Sequence, residues 1–217
     1  MKTLFTLTAA LLLSFASIAQ DYSGNWRGIL SFAPEYRIVL GFELTQTEQG
    51  YKLALLSPNQ TMQPLEPTSY KIDGDTLSFS DDKLKASFSG RFEGDTLTGT
   101  FSQRQDVQLT LTRLTEQDLN RLKHEQQWAG DLKISADASL PLVLNVAVIA
   151  GGYNVTLDSP KQQSFGIPVD QFSVSADSLQ FGSKLINASY QGTWQQDQWQ
   201  GTFVQGMAMP LNLKKKH

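Results

Sequence analysis

The sequence contains no cysteine and only two histidines, His124 and His217. Without cysteine there are no disulfides, thiol nucleophiles, lipid-modified cysteines or thiolate metal sites. With histidine so scarce, a Ser-His-Asp arrangement lacks a placed base and a histidine-based metal site lacks ligands. No Gly-x-Gly and no Gly-x-Ser-x-Gly occurs, so phosphate-cradling loops, dinucleotide loops and the hydrolase nucleophile elbow are absent. No Asp-rich loop has the spacing of a calcium site. Positive charge is also short: the formal net charge is -3, and the one basic run is Lys214-Lys215-Lys216, which reads as a solvated chain end. Nucleic acid requires a basic face with interleaved aromatics. The expectation is therefore a chain with no catalytic residues, metal, cofactor or nucleic-acid partner.

The longest apolar stretch, Leu4 to Phe15, falls short of the roughly 20 residues of a spanning helix. Preceded by Lys2 and followed by the small residues of Ser17-Ile18-Ala19, it has the pattern of an export signal. The expectation is a signal peptide over 1–19, cleaved after Ala19. A periplasmic or secreted mature chain of 198 residues would remain, with net charge -4 and no transmembrane helix.

What is present is a repeat. Shifted by 102 residues without a gap, the chain matches itself at 23 of the 86 positions from Trp26 to Leu111. Trp26, Gly28 and Leu30 fall on Trp128, Gly130 and Leu132. Ser57-Pro58 and Gln60 fall on Ser159-Pro160 and Gln162, and Gly99-Thr100-Phe101 and Gln103 on Gly201-Thr202-Phe203 and Gln205. Self-similarity at one period marks a duplicated unit. The boundaries read as 20–114 for the first unit, 115–126 for a connector and 127–217 for the second.

Within each unit apolar residues alternate with polar ones, the period of a half-buried strand. Trp26, Gly28, Leu30 and Phe32 lead the first strand, followed by Ile38 to Leu44, Tyr51 to Leu55, Tyr70 to Ile72, Leu77 to Phe79, Phe88 to Phe92, Leu97 to Phe101 and Leu109 to Leu111. Asp73-Gly74-Asp75 and Glu93-Gly94-Asp95 are hairpin turns, and their carboxylate pairs are turn chemistry. Closing eight antiparallel strands removes both exposed edges. The expected fold is all-β: two tandem eight-stranded up-and-down barrels of lipocalin-like layout, with a two-sheet sandwich as the alternative. Thr115 followed by Asp118, with Leu119 and Leu122 at helical spacing, predicts a short connecting helix.

Trp26 and Trp128 are expected to anchor the cores and close the barrel floors, with Trp194 and Trp199 also facing inward; Gly28 and Gly130 share the anchors' strand. Pro160 and Pro168 read as stiffening a loop that crosses from the third strand to the fourth, with Gly166 permitting its tight backbone path. Alternation puts Gln205 on the apolar side, so its amide needs a partner, which holding the Ser-Pro loop would supply. The candidate ligand contacts are the polar residues kept by both copies: Ser57, Gln60 and Gln103, with Ser159, Gln162 and Gln205. Because eight strands enclose an interior that side chains fill, any internal pocket should be small, and a surface or inter-barrel site is favoured.

Asp158-Ser159-Pro160, Gly166-Ile167-Pro168-Val169, Tyr190-Gln191-Gly192, Gly201-Thr202-Phe203, Gln205-Gly206 and Pro210-Leu211 together resemble the small β-domain that precedes the catalytic domain in many exported bacterial α/β-hydrolases. The likeness covers almost all of Gln127 to Leu213. In the first copy Pro64-Leu65-Glu66-Pro67 replaces the Gly-Ile-Pro-Val run and Arg104 replaces Gly206. The resemblance implies an accessory domain, and no catalytic residue carries over. Two functions follow as expectations: an exported protein binding a small apolar or glycan ligand, or a module docking on a separate envelope hydrolase.

Overall fold

The computed structural model describes residues 20–33, 36–135 and 137–216; the expected signal peptide and His217 lie outside them. The first unit comprises β1 (Gly24–Ala33), β2 (Tyr36–Thr47), β3 (Gly50–Ser57), β4 (Thr61–Leu65), β5 (Ser69–Asp73), β6 (Thr76–Asp81), β7 (Ala86–Glu93), β8 (Thr96–Gln103) and β9 (Gln105–Arg113). After helix α1 (Glu116–Arg121) the second unit repeats the order as β10 (Gln126–Lys133), β11 (Ser139–Ile149), β12 (Gly152–Ser159), β13 (Ser164–Pro168), β14 (Gln171–Val174), β15 (Ser178–Ser183), β16 (Ala188–Gln195), β17 (Gln198–Gln205) and β18 (Met207–Lys215). Each unit is one antiparallel sheet, ordered β4-β3-β2-β1-β9-β8-β7-β6-β5 in the first and equivalently in the second. The ladders keep the duplication's register: Trp26 faces Phe42 as Trp128 faces Leu144, and Gly90 faces Gly99 as Gly192 faces Gly201.

The class is as expected, but each sheet has nine strands rather than eight. The additional strands are β4 and β13, in the segments expected to be irregular. Gly166, Ile167 and Pro168 thus form an edge strand, with Gly166 at φ 70°. Proline cannot donate to a ladder and is tolerated at an edge. β4 carries Pro64 and pairs with β3 at only two positions, Leu55 with Leu65 and Ser57 with Thr61, with a register shift between them. Such a short, proline-bearing strand leaves almost no alternation to read. Among the described residues no ladder joins β4 to β5, so the sheet is rolled without being fully closed.

Rolling brings the apolar faces into two cores. The first gathers Trp26, Phe42, Leu53, Leu77, Phe88, Leu97 and Leu111 among others; the second gathers Leu144, Leu157, Leu179, Tyr190, Trp199, Phe203 and Leu213. Gly28 is required where β1 crosses close over β9, since a Cβ there would run into the Thr110 carbonyl; Gly130 meets the Asn212 carbonyl in the same way.

The two floors differ. Trp26 is fully buried; its Nε1 donates to the Tyr22 carbonyl at 3.0 Å and the Arg113 guanidinium lies 4.7 Å over its ring. Tyr22 stacks on Phe92 at 4.1 Å and covers that end. In the second copy His124 occupies the place of Tyr22 and meets Tyr153 as Tyr22 meets Tyr51, but among the described residues it has no stack like that of Tyr22 on Phe92. Trp128 is accordingly only half-buried and Trp194 is 38% exposed, while Trp199 is buried. The expectation of four inward tryptophans holds fully for Trp26 and Trp199 alone. Trp128, Trp194 and Trp199 meet edge to face, with centroids 4.9 to 6.0 Å apart.

The connector is helical. Thr115 and Asp118 form a reciprocal capping box on α1, and a single 3-10 turn over Leu122–His124 follows. Gln126, placed in the connector by sequence, already belongs to β10.

Candidate functional site

Inward side chains at one end of the first barrel, where β1 meets β2 and β8 meets β9, do not fill the space between them. A partly enclosed cavity of about 620 Å³ remains there. Its walls are Leu30 and Phe32 from β1, Ile38 and Leu40 from β2, Leu55 from β3, Leu65 from β4 and Phe101 from β8. Its rim is polar: Ser57, Gln60, Thr61, Gln63, Gln103, Arg104 and Gln105. This corrects the expectation of a small internal pocket. The ninth strand and the open β4–β5 seam give the roll more girth than eight strands would. The large aromatics Trp26 and Phe92 lie at the opposite end.

The cavity brings together three of the six candidate ligand contacts, Ser57, Gln60 and Gln103. The Ser57 hydroxyl donates to Gln60 Oε1 at 2.8 Å, and the Gln60 backbone N–H donates to the Ser57 carbonyl. Ser159 and Gln162 repeat the side-chain bond at 2.8 Å. The shared Ser-Pro-x-Gln motif is therefore first a turn that ties itself together. In the first barrel the Gln60 Nε2 group has no partner among the described residues and lies on the cavity rim.

Gln103 Nε2 donates to the Leu84 carbonyl at 2.9 Å, and Gln205 Nε2 to the Ile186 carbonyl at the same distance. Both glutamines thus fasten the loop before the seventh strand of their unit rather than the Ser-Pro loop. The reason is topological. Each sits at the end of its unit's eighth strand, beside the seventh, whereas the Ser-Pro loop follows the third.

The cavity loop is braced by the second barrel. Asn59, buried between Ser57-Pro58 and Gln60, accepts from Val39 N at 2.7 Å and donates to Asn154 Oδ1 at 3.4 Å. Its carbonyl accepts from Gln127 Nε2, which also donates to Asn145 Oδ1 at 2.9 Å. Asn145 Nδ2 then donates to Asp158 Oδ2 at 2.9 Å, and Asp158 Oδ1 accepts from Gly166 N at 2.7 Å. This part of the inter-unit seam is thus a polar chain whose buried side-chain groups are partnered, whereas Arg27 Nε and Nη1 elsewhere in the seam are buried without a partner among the described residues. Its members sit singly on outward faces in both units, so no sequence pattern marks them.

A second inter-unit contact is an ion pair. Arg27 on β1 lies over Gly41, where any Cβ would strike the guanidinium. Its Nη2 meets Glu125 Oε1 at 3.3 Å, with side-chain exposures of 2% and 8%. Glu125 Oε2 accepts from Val148 N at 2.7 Å. Burial pushes the Arg27 pKa down while Glu125 pulls it back up. Asp118 accepts from Gly151 N at 3.0 Å and from Arg121, fastening α1 to the β11–β12 turn. Burial acts to raise the Asp118 pKa, but bonds from Thr115, Gly151 and Arg121 outweigh it and hold the carboxyl below its usual range.

Among the described residues no three His, Asp or Glu side chains come together to hold a metal, and no helix is long and apolar enough to cross a membrane.

No protein-family model matches the chain, and no curated protein matches it. Among solved structures, a protein of unknown function from the DUF3598 family of Nostoc punctiforme is similar over 88% of this chain and 94% of its own, at 13% identity and a TM-score of 0.27. At that TM-score the likeness carries no argument.

Proposed function

We propose that the chain is an exported, non-catalytic binding protein that holds a small apolar or amphipathic molecule in the first barrel. The observation that carries this reading is the cavity. At about 620 Å³ it has the size of a small-molecule site, with apolar walls and a few convergent polar groups. The second barrel acts as its brace, gripping the Ser57–Gln60 loop through Asn59. Native mass spectrometry and titration with the neutral fluorophore N-phenyl-1-naphthylamine test the reading. One molecule should bind per chain, and L65W, which places an indole in the cavity, should abolish binding while the protein stays folded. Absence of binding, or unchanged binding by L65W, would refute it.

One observation favours the accessory-module reading as a second function. At the matching end of the second barrel Ile134, Phe165, Leu185 and Met207 are 53 to 70% exposed, where the first copy has Phe32, Gln63, Lys83 and Gln105. Exposed apolar side chains gathered at one end are a mark of a docking surface. Copurification of an α/β-hydrolase from envelope extract, lost in the F165S variant, would support docking, and the same yield with F165S would count against it.

A further inference from the structure

Among the described side chains lining the cavity, Arg104 alone is charged. It occupies the tip of the β8–β9 hairpin, flanked by the paired Gln103 and Gln105. Among the described residues its guanidinium has no ion pair and no hydrogen-bond partner, unlike Arg27, Arg91, Arg113 and Arg121. The loop that contributes Leu84 to the cavity adds Lys83 and Lys85 against Asp82, while the nearby Asp106 is engaged by the Ser102 hydroxyl at 2.6 Å. With Asp81, whose Oδ1 accepts from Leu84 N at 2.7 Å, the charges of this loop and hairpin balance, and only Arg104 of them lines the cavity.

The backbone adds a second observation. Arg104 has φ 68°, the left-handed conformation that residues with a Cβ adopt at a cost. The second copy fills the same turn, at φ 73°, with Gly206, the residue for which that conformation carries no steric penalty. The first copy thus holds an arginine where the turn favours glycine, on the rim of its cavity. Lys85, Gln163, Asn187, Gln196 and Asp197 also hold positive φ at turns, so what sets Arg104 apart is its place at the cavity mouth.

We propose that the cavity takes an amphiphile with a single oxyanion head, a carboxylate or a phosphate, that Arg104 recognises. The hydrocarbon portion lies against Leu30, Leu40, Leu55 and Phe101, and the head meets the guanidinium fork, with the free Gln60 amide as a second donor. A planar guanidinium matches the paired oxygens of either group. This inference rests on reading the cavity as a ligand site.

Laurate, lauryl phosphate and lauryl alcohol, titrated into the full chain by displacement of N-phenyl-1-naphthylamine, test it. Both anions should bind roughly tenfold tighter than the alcohol, as expected of a charge-assisted hydrogen bond, and the advantage should shrink as salt is added. R104G installs the residue that the second copy already uses at this turn, so the fold is kept. It should bring the anions to the level of the alcohol. A preference for one anion over the other assigns the head group within the proposal. Equal binding of all three probes, or an anion preference that survives R104G, would overturn the inference and leave the cavity reading standing. If neither the fluorophore nor any of the three binds, the cavity reading fails and this inference with it.

Discussion

Removing the Arg27 side chain with R27M would leave the Glu125 carboxylate buried, with Val148 N as its remaining hydrogen-bond partner. An uncompensated buried charge of this kind costs about 3 to 5 kcal/mol. For a chain of this size each kcal/mol is worth roughly 2 to 4 °C of melting temperature, so R27M should melt about 10 °C below the parent. R27M/E125Q should recover most of that loss. The amide carbonyl introduced by E125Q still accepts from Val148 N, the thioether chain covers Gly41, and no charge remains. The double variant should fall within about 1 kcal/mol of the parent, giving a coupling of roughly 3 kcal/mol in the double-mutant cycle. Because the pair is shielded from solvent, added salt should leave the coupling almost unchanged. The assay is thermal unfolding followed by circular dichroism. A single variant that melts with the parent, or a double variant as damaged as the single, would refute the claim that the pair is a closed, desolvated contact between the units.

The two floors predict unequal tryptophan costs. W26A should lose about 3 to 5 kcal/mol, as for a fully buried aromatic, and W128A distinctly less because its ring is already half in water; equal losses in denaturant titrations would contradict the difference in burial. Asp118 predicts an acid-sensitive connector. Its carboxyl is depressed in the folded state, so its stabilisation is complete above the unfolded value near 4 and is lost as pH falls through the lower folded value. The melting gap between the parent and D118N should therefore be widest near neutrality and close below about pH 4; a gap independent of pH would show that the carboxylate contributes nothing.

What the sequence disclosed and what it concealed separate along physical lines. The strands of Trp26 to Phe32 and Phe88 to Phe101 were legible because one face is buried and the period of two survives. β4 and β13 were not, because an edge strand with proline pairs at few positions and buries little. The cap at Thr115 could be read because it is local, whereas the Asn59, Gln127 and Asn145 chain joins residues far apart in sequence. Ser57, Gln60 and Gln103 were found through the repeat, yet the cavity they rim is volume left unfilled, which no residue signals. Arg104 was visible as a departure from the second copy, and only its φ and its position at the mouth give that departure a meaning.

The seam also bears on how far such a chain could grow. The first copy presents its β1–β2 side, through Arg27 and the β3–β4 turn at Asn59, to the equivalent β10–β12 side of the second, at Glu125, Gln127, Asn145 and Asn154. A contact that uses matching faces of both copies leaves neither face free for a third unit. The second copy carries Ala129 in place of Arg27, Val143 in place of Gly41 and Lys161 in place of Asn59. The matching faces therefore carry different groups, and Arg27 of the first copy meets Glu125 of the second rather than a counterpart of itself.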